Sequence, residues 1–164
     1  MVTLAHLVKT LRDYPQKKTI LIVAFGKEEE GLIGSHAFAE SIPKEELIRY
    51  CAMINIDSLG LSGPQVADNM SSKKLGDLSE ELAKRMKIPF GRARLLSADS
   101  DSTSFILRKI PAVTIHGLTN EWPKLLHSRA DQASKINPTS VYLGYRLALA
   151  LWSEIEEADC GAFQ

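Results

Sequence analysis

The chain has 164 residues, 45% hydrophobic and 24% charged, the ordinary balance of one globular domain with a sizeable core. Its 20 basic and 20 acidic side chains cancel, and no basic run marks a nucleic-acid partner. No apolar run is long enough to span a bilayer, and residues 4–11, interrupted by His6 and Lys9, do not read as a secretory leader, so the compartment stays open.

Leu4, Leu7, Val8 and Leu11 follow helical spacing, with Thr3 as N-cap, and this helix stops before Pro15. Residues 19–25 are nearly all apolar and predict a strand buried on both faces. A short helix follows over 32–40, and Pro43 opens another. Residues 52–56 predict a second buried strand ending on Asp57, and 58–69, with Gly60, Gly63 and Pro64, predict a loop. Leu75, Leu78, Leu82 and Met86 form the stripe of a helix from about Ser72. A short strand is expected at 95–97, a helix at 103–109, a third core strand at 112–116, and a long irregular segment at 118–137. Asn137-Pro138 then marks the N-cap and first position of a long helix burying Val141, Tyr145, Ala148, Trp152 and Ile155. The two cysteines, Cys51 and Cys160, have no CxxC spacing and predict no disulfide framework; Cys51, at the head of a strand, reads as a small core residue. No repeat or linker interrupts this order.

Strands alternating with helices predict an α/β fold in three layers, a mostly parallel central sheet covered on both faces. Chemistry then collects at one edge. Glu28, Glu29 and Glu30 follow the first strand, Asp57 ends the second, and the loop holding His127 follows the third. Each has a plain alternative. Acidic groups suit a helix start, an aspartate suits a turn, and a lone histidine is usually a surface group. Together, Glu29, Asp57 and His127 are ligand types that zinc accepts, and strand direction brings them to the edge where open α/β sheets bind ligands. His6 and His36 have no partner pattern; His116 ends a core strand and reaches toward the site with no specific spacing. Residues 99–103 resemble the opening of a calcium loop but fail at Ser104 and Ile110, leaving Asp101 to cap a helix, orient a site residue or bind a substrate amine. No nucleophile elbow, Walker or Rossmann pattern is present.

These segments resemble the zinc aminopeptidase family, whose relatives include bacterial leucyl aminopeptidases and animal-type glutaminyl cyclases. Residues 19–26 with Glu28-Glu29 and Gly31-Leu32-Ile33-Gly34-Ser35 resemble its most specific segment. The resemblance implies Glu28 as general base and Glu29 as a zinc ligand. Ile54-Asn55-Ile56-Asp57 resembles the segment that supplies an aspartate to the other zinc, and Leu126-His127-Ser128-Arg129-Ala130-Asp131 resembles the segment whose histidine is a zinc ligand. Ser100-Asp101-Ser102-Thr103-Ser104-Phe105, before Ile110-Pro111, resembles a Ser-Asp-His-x-x-Phe stretch. Three departures stand out. Ser102 replaces a histidine, Leu126 a tyrosine that steadies the tetrahedral intermediate, and Glu30 a usually apolar residue. Asp101, Ser102 and Leu126 are the implied substrate contacts.

The family site holds two zinc ions through five protein ligands. By the resemblance, a histidine and a bridging aspartate fall upstream of Met1. The implied reaction is hydrolysis of the N-terminal bond of a peptide with a free N-terminus and an apolar first residue. This chain is expected to bind at most one zinc, weakly, and to show little or no activity, because two cations without the bridging carboxylate repel each other. The rival readings are a non-catalytic peptide- or protein-binding domain and a single-zinc glutaminyl cyclase. Many relatives are exported. The family also places an interior strand between the counterparts of 19–25 and 52–56, so these two segments are expected either to pair directly or to recruit another chain, as in a homo-oligomer.

Overall fold

The computed structural model describes residues 2–164. In chain order its helices are α1 (Val2–Leu11), α2 (Ile33–Ser41), α3 (Lys73–Arg85), α4 (Ser102–Leu107), α5 (Trp122–Leu125) and α6 (Pro138–Glu157). Its strands are β1 (Met53–Ile56), β2 (Gln65–Ala67), β3 (Gly91–Ala93) and β4 (Ala112–His116). Single 3-10 turns lie at Lys44–Arg49, Asp68–Met70, Ala133–Lys135 and Cys160–Ala162.

The strands form one open sheet in the order β1-β4-β2-β3. β4 is buried at all its positions. It pairs parallel with β1, from Met53 opposite Ala112 to Ile56 opposite Ile115. On its other side β2 runs antiparallel, Val66 opposite Ile115, and β3 pairs parallel with β2. The sheet is therefore mixed, with helices on both faces, an α/β architecture.

The two-residue period of β4 sorts the layers. Val113 and Ile115 join Leu7 and Leu11 of α1, Leu75 and Leu82 of α3, and Leu147, Leu151 and Ile155 of α6 in the larger core. Full burial of each such leucine contributes roughly 2 kcal/mol. Ala112 turns the other way, toward Phe105 of α4, Ile42 and Ile110, with Phe25 and Phe38 at the margin. Thr114 and His116 share the face of Ala112, which puts polar side chains on the site side of the sheet. At the start of α6 the Asn137 side chain accepts from the backbone N–H groups of Thr139 and Ser140, the expected cap.

Several sequence expectations need correction. Residues 19–25 are extended but join no strand, and Leu21, Ile22 and Val23 are exposed. The reason is a missing neighbour. A cavity of about 540 Å³ separates Ile20, Ile22 and Val23 from Met53, Ile54 and Ile56 of β1. Direct pairing of the two segments is thus absent, and β1 is an edge strand. Within 58–69, expected as loop throughout, β2 forms because Val66 finds a fully buried place against β4. The strand expected at 95–97 lies instead at Gly91–Ala93, paired with β2. α1 already includes Thr3, which is not its cap. Lys44–Arg49 is a 3-10 turn rather than an α-helix. α6 buries Gly144, Leu147, Ala148, Leu151 and Ile155, with Tyr145 and Trp152 only half-buried. Cys51 and Cys160 are not free: they form a disulfide with Cα atoms 4.5 Å apart, tying the entry of β1 to the turn after α6.

Candidate functional site

Residues 26–34 turn tightly between the extended segment and α2. The Leu32 N–H donates to the Glu28 carbonyl at 2.8 Å and the Gly34 N–H to the Gly26 carbonyl at 3.2 Å. A Cβ on Gly34 would meet the Gly26 carbonyl oxygen at 2.5 Å, so only glycine closes the turn. The turn leaves Glu28 half-buried and Glu29 exposed. Asp57 extends β1 by one residue, its N–H donating to the Ile115 carbonyl at 3.0 Å. His127 follows α5 with a left-handed backbone, φ 59°.

Glu28, Glu29, Asp57, His116, Leu126 and His127 line one cavity of about 920 Å³. Oε2 of Glu29 lies 3.4 Å from Nδ1 of His127. Burial raises the pKa of Glu28 above the usual carboxylate range, and the charges of Asp57, Asp101 and Glu29 push the same way, against the opposing effect of His127. Asp101 is also raised, by burial and by Asp57. Its side chain makes no cap bond to α4, and its Oδ1 has no partner among the described residues.

Asp57 is held by hydroxyls. Ser58 Oγ donates to Oδ1 and Ser100 Oγ to Oδ2, both at 2.9 Å. Asn55 Nδ2 donates to Ser100 Oγ at 2.5 Å and to Thr114 Oγ1 at 3.2 Å, so a relay from β1 and β4 orients the aspartate. Ser102 donates to the Met70 carbonyl at 2.8 Å and lies 2.6 Å from Thr114 Oγ1. It is fully buried and is not among the residues that line the cavity. Sequence reasoning missed Asn55, Ser100 and Thr114 as supports; the alternation of side chains along β1 and β4 was the available signal. It also attached no role to His116. That residue is 1% exposed, and burial lowers its pKa to about 4, against a small upward pull from Asp57.

Zinc takes nitrogen and oxygen donors in a closed or nearly closed tetrahedral set. Glu29 and His127 supply one such pair. Asp57 lines the same cavity, but serine hydroxyls occupy both of its oxygens. Among the described residues, no group of three histidine, cysteine, aspartate or glutamate side chains is close enough to hold an ion. The donors therefore fit part of a zinc site.

An open α/β sheet with carboxylates and histidines around a cleft at its strand ends is an architecture of metal-dependent hydrolases. Residues 1–151 match the model of peptidase family M28, and the chain belongs to that family. Aminopeptidase YwaD of Bacillus subtilis (strain 168) is 32% identical over 63 residues, covering 38% of this chain and 14% of that protein. Among solved structures, BSAP, a zinc aminopeptidase from Bacillus subtilis, superposes with a TM-score of 0.82 at 21% identity, over 98% of this chain and 42% of its own. LapA aminopeptidase of Legionella pneumophila gives 0.84 at 19% identity, over 96% and 45%. The chain thus spans less than half the length of the structures whose fold it shares.

Proposed function

We propose that this chain carries the general base and part of the metal site of an aminopeptidase that removes the N-terminal residue of a peptide. One observation carries the reading: Glu28, Glu29, Asp57 and His127, from three separate loops, line a single cavity, with Glu29 and His127 paired at 3.4 Å. Glu29 and His127 would contribute ligands to one zinc and Asp57 a ligand to the other; zinc, when bound, lowers the pKa of its water and polarises a carbonyl. Glu28 accepts the proton of the attacking water and returns it to the leaving amine; its raised pKa suits both halves of that task. The carboxylates lining the cavity attract the substrate ammonium, Asp101 acts on Glu28 through its charge, and Leu126 offers an apolar wall to the first side chain.

The 164 residues alone bind at most one zinc and turn over little, because the donor set closes around no ion. Zinc titration with a leucine p-nitroanilide assay tests this. Robust hydrolysis by this chain, or two bound zinc ions, overturns it.

The unpaired slot beside β1 supports a second reading, that another strand fills it, in a homo-oligomer or from a further segment of the protein. Extended apolar backbone facing an edge strand is a template for pairing. Sedimentation across a concentration series checks the homo-oligomer. Self-association that Val23→Lys abolishes supports it, and a monomer at all concentrations refutes it.

A further inference from the structure

We infer that His116 donates a hydrogen bond from Nε2 to a carbonyl oxygen of the bound peptide, an inference that rests on the peptide-site reading above. His116 is the last residue of β4, where Nδ1 accepts the backbone N–H of Leu118 at 3.1 Å. A neutral imidazole has one donor and one acceptor nitrogen, so this bond puts the proton on Nε2. Nε2 is buried with no partner among the described residues, and His116 is one of the residues that line the cavity shared with Glu28 and Asp57. A buried donor left unpaired costs about 1–3 kcal/mol, and a binding cavity is where a ligand acceptor offsets that cost.

The Leu118 contact also separates this role from metal ligation. A ligating Nε2 needs its lone pair, which moves the proton to Nδ1 and sets two N–H groups against each other. The surroundings select the acceptor. Among the described residues, Glu28, Glu29, Asp57, Asp99 and Asp131 line the cavity, and no lysine or arginine does. That field repels a ligand carboxylate and attracts an ammonium, leaving the neutral carbonyl oxygen of an N-terminal residue as the acceptor for Nε2. The low pKa of His116 keeps the donor uncharged at neutral pH, as a fixed dipole rather than a proton source.

Nitrogen-15 NMR of the 164-residue chain, with L-leucinamide as probe and with and without zinc, tests the inference. The expected spectrum has the His116 proton on Nε2 before addition, and saturating leucinamide moves that resonance downfield. His116→Phe weakens leucinamide binding about tenfold, the loss of one hydrogen bond, and His116→Gln, which keeps a donor, recovers most of it. A proton on Nδ1, or zinc displacing the Nε2 proton, overturns the inference. If leucinamide moves the Glu28 and His127 signals but not the Nε2 proton, this inference falls and the peptide site stands. If it moves no signal in the cavity, both fall.

Discussion

Oε2 of Glu29 and Nδ1 of His127 stand 3.4 Å apart, joining the turn before α2 to the loop after α5. Both side chains are largely exposed, at 72% and 61%, so water screens their attraction and the contact contributes little to the fold. In the function proposed above, the two groups serve instead as a pair of metal donors. Glu29→Ala and His127→Ala should each weaken zinc binding by at least about tenfold while leaving the thermal midpoint nearly unchanged. Calorimetric titration checks this, and unaltered affinity in both variants refutes the pair as ligands.

Glu28 must be ionised to act as a base, and burial, Asp57 and Asp101 all hold its proton more tightly. Activity should therefore fall on the acid side at a higher pH than an ordinary carboxylate would set. Asp101→Asn removes one of the repelling charges, lowers the Glu28 pKa and moves that acid limb to lower pH. Glu28→Gln should cost about 10²–10⁴ in kcat. The pH–rate profile of a zinc-loaded, turnover-competent form of the protein measures both. An acid limb that Asp101→Asn leaves in place refutes the coupling.

His116 links stability to pH. Its folded-state pKa, about 4, lies below the ordinary 6.5, so between these values the unfolded chain binds the proton more readily. Stability is full above pH 6.5, declines as pH falls toward 4, and by then has lost about 3 kcal/mol from this group. Urea unfolding at pH 7 and at pH 4.5 should show the loss, and His116→Asn should flatten it. An equal loss in the variant assigns the slope to other groups.

The Cys51–Cys160 disulfide closes a loop spanning 109 residues of sequence. Restricting so long a loop in the unfolded chain stabilises the fold by about 5 kcal/mol on the chain-entropy account. Reductant should lower the thermal midpoint of the native protein and have no effect on Cys160→Ser. Identical midpoints with and without reductant would remove the bridge from the stability of the fold.

The order of the elements was legible because local signals agreed. Asn137-Pro138 marks the start of α6, and Leu75 and Leu82 mark the buried face of α3. Residues 19–25 show where such signals stop. Their apolar run reads as a strand, yet a strand exists only with a partner ladder, and the space beside β1 holds none. β2 is the converse: three residues in a glycine- and proline-rich loop become a strand because β4 offers an edge. The pairing of Cys51 with Cys160 was invisible for the same reason, since spacing along the chain does not record approach in space.

Sequence by itself determined the α/β class, the family segments and the residue types that chemistry requires, because each depends on local order and composition. Only the tertiary structure decided which groups share the cavity. It set Glu29 against His127, tied Asp57 to Ser58 and Ser100, buried Ser102 against Thr114, and left the Nε2 of His116 without a partner among the described residues. These are distances and hydrogen bonds between distant segments, and they come into being only when β1 and β4 pair and the loops at their ends close over one space.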